Sequence, residues 1–193
     1  RSLGQSSLSA FQSIDPEPIA SASIAQVHGA FLTRGESVVI KIVRPGIEKR
    51  IRSEMQALIE MSLWLESRIP LIRQIHLTQI LEDQLTVLLA ELSMLREARN
   101  QIKLRRNFVD SPLLYVPRLH DRFTRQNLLV MERIDAPSIG ELERMRQAGV
   151  DFKALAHKGV ETFFTQVFED NFFHADMHPG NVFVDISSPS DPR

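Results

Sequence analysis

The sequence stretch His174-Ala-Asp176-Met-His178-Pro-Gly-Asn181 decides the fold. Its spacing, H-x-D-x-x-x-x-N, places a carboxylate and an amide where phosphoryl transfer requires them. The carboxylate accepts the proton of an attacking hydroxyl, and the amide carbonyl holds a magnesium ion. We therefore predict Asp176 as the catalytic residue and Asn181 as a magnesium ligand.

A different class of site also fits this stretch. His174, Asp176 and His178 alternate, and on an extended segment they would point to one side as metal ligands. A metal-dependent hydrolase of this kind needs a further ligand cluster. The remaining histidines are scattered singly: His28, His76, His120 and His157. The hydrolase therefore stands as an alternative, as does a polar turn that only caps a helix.

The segment before this stretch predicts a supporting helix. Asp151 is a suitable N-cap residue. Apolar side chains at helical spacing follow it: Val160, Phe163, Phe164, Val167 and Phe168. After the loop, residues 182–184 predict a short strand. Upstream, residues 115–119 and 127–131 predict two more strands, and the chain after residue 131 predicts a connector.

Helical periodicity marks two stretches nearer the start. The first begins near Ile51 and ends before Pro70, which breaks the pattern. The second, predicted as one long helix, carries a leucine stripe at alternating spacings of four and three: Leu81, Leu85, Leu88, Leu92 and Leu95. Because the stripe lasts only about two heptads, we expect it to pack within the domain rather than in a coiled coil.

A lysine lies on an otherwise apolar face of the strand predicted for residues 37–43. Lys41 shares this face with Val39 and Val43, and a turn at Arg34-Gly-Glu36 precedes the strand. Burial of an unpaired ammonium is costly, so Lys41 requires a carboxylate or a phosphate. An edge-strand lysine whose head reaches water is equally consistent.

Small residues dominate the loop before that strand. The loop consists of Pro18, Ile19, Ala20, Ser21, Ala22, Ser23, Ile24, Ala25 and Gln26. Small residues let backbone N–H groups approach a phosphate closely, and serine hydroxyls add donors. Alanine disfavours positive φ, so the loop should be stiffer than a glycine-rich one. A close-packed turn without a ligand is the alternative.

The composition argues against several classes of function. With 23 lysines and arginines against 24 aspartates and glutamates, no overall positive field favours nucleic acid. The absence of cysteine excludes disulfides, cysteine nucleophiles and thiolate metal sites. No apolar run reaches the roughly 18 residues of a membrane span, so we expect this segment to be globular and not to cross a membrane.

Four features occur in the order found in protein kinases: the small-residue loop, the strand lysine, a helix with internal glutamates and the H-x-D-x-x-x-x-N loop. The sequence resembles the UbiB family of atypical kinase-like proteins from about Pro18 onward. Three stretches carry the resemblance: Ala20-Ser-Ala-Ser-Ile-Ala-Gln-Val-His28, Val38-Val-Ile-Lys-Ile-Val-Arg-Pro45 and Phe172-Phe-His-Ala-Asp-Met-His-Pro-Gly-Asn181. Leu95-Arg-Glu-Ala98 and Val130-Met-Glu-Arg133 are similar to it as well.

The resemblance implies an α+β, protein-kinase-like fold, with an N-terminal lobe of antiparallel strands and inserted helices and the start of a helical C-terminal lobe. Residues 1–17 would be an N-terminal extension, residues 18–134 the N-terminal lobe, and residues 135–193 the start of the C-terminal lobe. The chain would be a fragment that stops before the D-F-G aspartate. The family's K-x-G-Q motif is also missing, since Leu3-Gly4-Gln5 lacks the lysine.

The resemblance also implies roles for single residues. Residues 18–26 would cover the phosphates of ATP, and residues 131–133 would meet its adenine. Lys41 would contact the α and β phosphates and pair with Glu97. Helical periodicity does not support this pair, because it places Glu97 opposite the leucine stripe; Glu91 is the alternative partner.

For the intact protein, the resemblance implies an atypical kinase or ATPase that uses ATP and Mg²⁺ in support of ubiquinone biosynthesis. Its expected location is the cytoplasmic face of a bacterial inner membrane, with other ubiquinone-biosynthesis proteins or lipid precursors as partners and no nucleic acid. A nucleotide-binding regulatory module without catalysis is the alternative. The fragment alone is expected to have little phosphotransfer activity, because the D-F-G aspartate is a principal magnesium ligand.

Overall fold

The computed structural model describes residues 9–173 and 179–192. These residues fall into two compact units. The first unit comprises those within Arg1–Arg99 and Leu119–Met131, and the second those within Asn100–Arg118 and Glu132–Arg193. The kinase-like α+β fold predicted from the sequence is confirmed, while the predicted lobe boundaries remain a prediction.

The first unit is built on a four-stranded sheet in which the strands follow one another in chain order. The strands are β1 (Phe11–Ser21), β2 (Ala25–Leu32), β3 (Ser37–Val43) and β4 (Leu128–Glu132). β2 pairs antiparallel with both β1 and β3. The turn before β3 contains Gly35 with φ +82°, a left-handed conformation that glycine adopts without steric cost. The predicted β2–β3 hairpin is therefore confirmed.

Strand β1 was not predicted over most of its length. Its register against β2 shifts between Ile14 and Pro18 and again between Pro18 and Ala20. Proline lacks the N–H that a central strand needs, so prolines in sheets are confined to edges and bulges. β1 lies at the edge of the sheet, which explains how it contains Pro16 and Pro18.

The two faces of this sheet support different cores, because successive side chains of a strand point to opposite faces. On one face, the buried residues form a cluster that includes Leu32, Val38, Ile40, Leu128 and Val130. On the other face, Leu129 packs with two buried residues of a helix, Met94 and Ala98. This second face is the one that carries Lys41.

Four helices lie between β3 and β4: α1 (Ile47–Arg68), α2 (Pro70–Gln74), α3 (Leu77–Glu91) and α4 (Met94–Asn107). α1 ends before Pro70, as predicted, and Pro70 begins α2. α3 packs against α1, where the Ser62 and Thr78 hydroxyl oxygens lie 2.8 Å apart. The leucines of the stripe within α3, Leu81, Leu85 and Leu88, are only partly buried, so packing of the stripe within the domain remains a prediction.

The prediction of one long helix through the whole leucine stripe is wrong. α3 ends at Glu91, and a new helix, α4, begins at Met94. The hydroxyl oxygen of Ser93 accepts a hydrogen bond from the Arg96 amide at 3.3 Å, and its carbonyl oxygen accepts one from the Glu97 amide at 3.1 Å. Ser93 thus caps the new helix, as serine commonly does.

The second unit contains α5 (Leu142–Gln147) and α6 (Phe152–Phe164), and α6 continues as a π-helical turn over Thr165–Glu169. The predicted N-cap is confirmed: Asp151 Oδ1 accepts hydrogen bonds from the amides of Lys153 (2.8 Å) and Ala154 (3.0 Å). The apolar face of α6 is largely exposed, and Phe168 retains 74% of its accessible surface.

Two predicted strands do not form. Residues 115–119 contain Pro117 and make only an isolated bridge between Leu119 and Met131. Residues 182–184 likewise make an isolated bridge, from Phe183 to Ser138. One bridged pair in each segment does not make a strand ladder. Among the described residues, no helix combines the length and the apolar character needed to cross a membrane.

Candidate functional site

Lys41 and Glu97 form an ion pair in the first unit. The Lys41 Nζ atom lies 2.7 Å from Glu97 Oε1 and 2.9 Å from Glu97 Oε2. The lysine side chain is 29% exposed and the glutamate side chain 34% exposed. Both carboxylate oxygens therefore accept from a single ammonium, and the third N–H of that ammonium is left for another acceptor.

Helix α4 positions Glu97 through the residues on either side of it. Met94 and Ala98 are almost fully buried, with 0% and 5% exposure, and they pack on Leu129 and on the partly buried Val43. Val43 shares the Lys41 face of β3. The Met94 amide also donates to the Gln126 carbonyl at 3.0 Å. The start of α4 is therefore fixed against the strand that carries the lysine.

The alternative partner Glu91 makes no ion pair with Lys41 in the part of the chain that the structure describes. The periodicity argument against Glu97 was wrong because it extended one helix through Leu92 and Ser93. Because one helix ends before Ser93 and a new one begins after it, the leucine stripe of the first helix does not predict the direction of side chains in the second. In the second helix, Glu97 lies next to the buried Ala98. Ser93, a common N-cap residue, was the signal for the break.

The small-residue loop forms the turn of the β1–β2 hairpin. Residues 18–21 end β1, residues 25 and 26 begin β2, and Ala22, Ser23 and Ile24 make the turn between them. The Ala22 amide donates to the Ala25 carbonyl at 2.9 Å. The amides of Ser23 and Ile24 have no acceptor among the residues that the structure describes. The tip of the hairpin therefore presents two N–H groups that a ligand could engage.

Sequence reasoning missed the contribution of Arg44, the residue that follows β3. Its Nη2 donates to Ser21 Oγ at 2.7 Å, and its Nε donates to the Ala22 carbonyl at 3.0 Å. The Arg44 amide donates to the Ile24 carbonyl at 2.9 Å. These contacts join residues at least twenty positions apart, so no local sequence signal could have revealed them.

Glu132, at the end of β4, lies in the segment that the resemblance assigns to adenine. Its Oε2 accepts hydrogen bonds from the Tyr115 hydroxyl at 2.6 Å and from the Arg118 amide at 3.0 Å. Burial alone would raise the pKa of Glu132, but these bonds and the charges of Arg118 and Arg105 hold the pKa below its ordinary value. Glu132 is therefore held as a carboxylate.

The H-x-D-x-x-x-x-N stretch is described only at its end. Asn181 is exposed and closes a short 3₁₀ turn, Pro179–Asn181. His174, Asp176 and His178 lie outside the described residues, so the catalytic role and the metal-hydrolase alternative both stay predictions. Within residues 9–173 and 179–192, no three histidine, aspartate or glutamate side chains are placed to hold a metal ion.

The groups gathered in the first unit suit a polyphosphate. Three kinds of donor are present there: an ammonium fixed by a carboxylate, two amides with no acceptor in the described part of the chain, and a serine hydroxyl. Phosphate oxygens are acceptors, so they match these donors. Asn181 offers an amide oxygen, a ligand that Mg²⁺ accepts. The described residues therefore fit the ATP and Mg²⁺ predicted from the sequence.

The family model for the ABC1 atypical kinase-like domain matches residues 1–190 of the chain. Two curated relatives carry the name "Probable protein kinase UbiB". The relative from Cellvibrio japonicus is 50% identical over 192 residues, and the one from Marinobacter nauticus is 47% identical over 193 residues. In both cases the match covers 100% of this chain and 35% of the relative, so the chain spans about a third of their length.

A solved structure supports the same fold. The complex of Rv3197 with erythromycin from Mycobacterium tuberculosis matches with a TM-score of 0.67 and 25% sequence identity. The match covers 93% of this chain and 44% of that chain. The similarity therefore includes nearly all of the chain, in three dimensions as well as in sequence.

Proposed function

Since this chain belongs to the family of ABC1 atypical kinase-like domains, we propose that it binds ATP with Mg²⁺ and catalyses phosphoryl transfer or ATP hydrolysis in the full-length protein. The acceptor is either water or a substrate hydroxyl. The proposal goes beyond the family's general kinase-like character, because it assigns a ligand and a reaction to named residues.

The ion pair between Lys41 and Glu97 carries this proposal. In protein kinases, a strand lysine paired with a helix glutamate must be in place for phosphoryl transfer. Here the two groups come from elements 56 residues apart in sequence, yet both carboxylate oxygens lie within 2.9 Å of the ammonium. Glu97 fixes the ammonium, whose remaining N–H binds the α and β phosphates.

Other residues complete the proposed site. The hairpin turn at residues 22–24 donates backbone N–H groups to the phosphates, and Asp176 accepts the proton of the attacking hydroxyl. Asn181 holds the metal through its amide oxygen. Mg²⁺, when bound, supplies charge neutralisation at the phosphate oxygens.

We further propose that the full-length protein supports ubiquinone biosynthesis at the cytoplasmic face of a bacterial inner membrane. The names of the relatives from Cellvibrio japonicus and Marinobacter nauticus support the kinase-like part of this proposal. The pathway and the membrane location rest on the family resemblance. Partners would be other proteins of that pathway or its lipid precursors.

The test is Mg²⁺-dependent ATP hydrolysis by the full-length protein, together with ATP affinity. Lys41→Ala should lose both turnover and affinity, whereas Asp176→Asn should lose turnover and retain affinity. Lys49→Ala, which removes an exposed lysine from α1, is the matched control and should behave like the unsubstituted protein. Turnover that survives Asp176→Asn would exclude its catalytic role, and ATP binding without any turnover would indicate a regulatory module.

A further inference from the structure

Arg44 makes three hydrogen bonds to the turn between β1 and β2. Its guanidinium donates to Ser21 Oγ at 2.7 Å and to the Ala22 carbonyl at 3.0 Å. Its backbone amide donates to the Ile24 carbonyl at 2.9 Å. A residue at the end of β3 is thus bonded to both sides of a hairpin tip formed earlier in the chain.

These contacts determine which groups the turn presents. The carbonyl oxygens of Ala22 and Ile24 carry partial negative charge and would repel an anion, but both are engaged by Arg44. The amides of Ser23 and Ile24 have no acceptor among the described residues, so the turn offers donors. A turn in which two of the three carbonyl groups are engaged, and in which two N–H groups have no acceptor among the described residues, favours an anion.

Arg44 also determines the role of the Ser21 hydroxyl. Guanidinium has donors and no acceptor, so Ser21 Oγ must accept in this contact. The hydroxyl proton of Ser21 is then available to donate to another group.

We propose that Arg44 is a positioning residue that holds the hairpin turn as an anion-binding tip and makes Ser21 a donor to the phosphates of ATP. This inference rests on the proposed function. It adds a residue outside the loop as a determinant of nucleotide affinity. Alanine and serine already make this turn stiffer than a glycine-rich one, and the hydrogen bonds of Arg44 add a further constraint from outside the turn.

The test compares Arg44→Ala, Arg44→Lys and Ser21→Ala in the full-length protein, with ATP titrated calorimetrically and in the hydrolysis assay. Loss of the two side-chain hydrogen bonds, with the backbone bond to Ile24 retained, predicts a rise in Kd and KM of the order of tenfold for Arg44→Ala. The kcat value should change much less, because a contact equal in ground and transition states affects KM. Arg44→Lys keeps the positive charge but cannot make both guanidinium hydrogen bonds, to Ser21 and to Ala22. Its Kd and KM should lie between those of Arg44→Ala and the unsubstituted protein.

Arg50→Ala is the matched control. Arg50 lies on α1 six residues further along, is exposed, and pairs with Glu54 at 2.7 Å rather than with the turn. If Arg44 acts only through its charge, Arg44→Ala and Arg50→Ala should weaken ATP binding similarly. That result would overturn the proposal. A thermal unfolding midpoint unchanged in Ser21→Ala, with a several-fold rise in Kd, would support it independently of any folding defect in Arg44→Ala.

The outcomes separate this inference from the proposed function. If the unsubstituted protein fails to bind ATP, both the proposed function and the role of Arg44 in ATP binding are wrong. If the unsubstituted protein binds ATP and Arg44→Ala and Ser21→Ala bind it equally well, only the positioning role of Arg44 is overturned.

Discussion

The Lys41 ammonium nitrogen lies 2.7 Å from one carboxylate oxygen of Glu97 and 2.9 Å from the other. The side chains are 29% and 34% exposed. Ion pairs with access to water contribute about 0–1 kcal/mol to stability. The ion pair therefore contributes little to folding, but it fixes the direction of the ammonium.

We predict that Glu97→Gln lowers the turnover of ATP at least tenfold in the full-length protein, while the thermal unfolding midpoint changes little. The amide keeps the size of the side chain but removes the charge that fixes Lys41. Steady-state hydrolysis and circular dichroism measure the two quantities. Glu91→Gln is the matched control, because Glu91 is exposed and ends the preceding helix. An equal loss of turnover in Glu97→Gln and Glu91→Gln would contradict a specific role for the Lys41–Glu97 ion pair.

A second prediction concerns the residue that anchors α4. Met94 is fully buried against Leu129 and Ala98, so Met94→Ala should cost about 2–5 kcal/mol through lost burial and a residual cavity. Because Glu97 lies one turn further along the same helix, turnover should fall as well. Urea unfolding and the hydrolysis assay measure the two effects.

Leu95→Ala is the control for that experiment. Leu95 is the next residue of the same helix but is 41% exposed, so its truncation should cost well under 1 kcal/mol and leave turnover intact. If Leu95→Ala destabilised the protein as much as Met94→Ala, the contact of α4 with the sheet would differ from the one described.

The sequence allowed prediction of those features that depend on local chemistry. The β2–β3 hairpin follows from β-branched residues on either side of Arg34-Gly-Glu36, and the start of α6 follows from the cap at Asp151. The end of α1 follows from Pro70. Each depends on residues within a few positions of one another, so tertiary contacts did not have to be known.

Features determined by distant contacts were missed or wrongly predicted. The leucine stripe continues in phase through Leu92 although the helix stops, because Leu92 is buried outside any helix. The Arg44 contacts join residues at least twenty positions apart. β1, which contains two prolines, is paired with β2 in the sheet, and its own sequence did not predict a strand. The family resemblance identified Glu97 as the partner of Lys41, and helical periodicity did not. A family motif reflects contacts between distant residues, whereas the periodicity of a single helix does not.

A third prediction concerns acid stability. The pKa of Glu132 lies below its ordinary value of 4.5 in the folded protein, because hydrogen bonds and nearby arginines outweigh burial. A carboxyl with a depressed folded-state pKa contributes stability above its unfolded pKa and loses it as pH falls through the folded pKa. Stability should therefore decline below about pH 4.5, and Glu132→Gln should reduce that decline.

Tyr115→Phe is the matched variant for Glu132. It removes the hydroxyl that donates to Glu132 Oε2 at 2.6 Å and leaves the ring. We expect it to cost about 1 kcal/mol at neutral pH, since the bond is charge-assisted but partly exposed. It should also weaken the pH dependence in the same direction as Glu132→Gln. Urea midpoints measured from pH 7 down to about pH 3, through the range in which the carboxylate of Glu132 takes up its proton, test both variants, and parallel curves for all three proteins would contradict the assignment.

The last prediction concerns Asn181, and it separates metal binding from nucleotide binding. Asn181→Ala removes the amide oxygen proposed to hold Mg²⁺, so half-maximal turnover should need several times more Mg²⁺. Affinity for ATP without metal should be unchanged, because that affinity depends on Lys41 and the hairpin turn. Asn107→Ala, which changes an exposed asparagine at the end of α4 in the same unit, serves as the control. An unchanged Mg²⁺ requirement in Asn181→Ala would assign the metal to other residues of the full-length protein and leave the role of Lys41 intact.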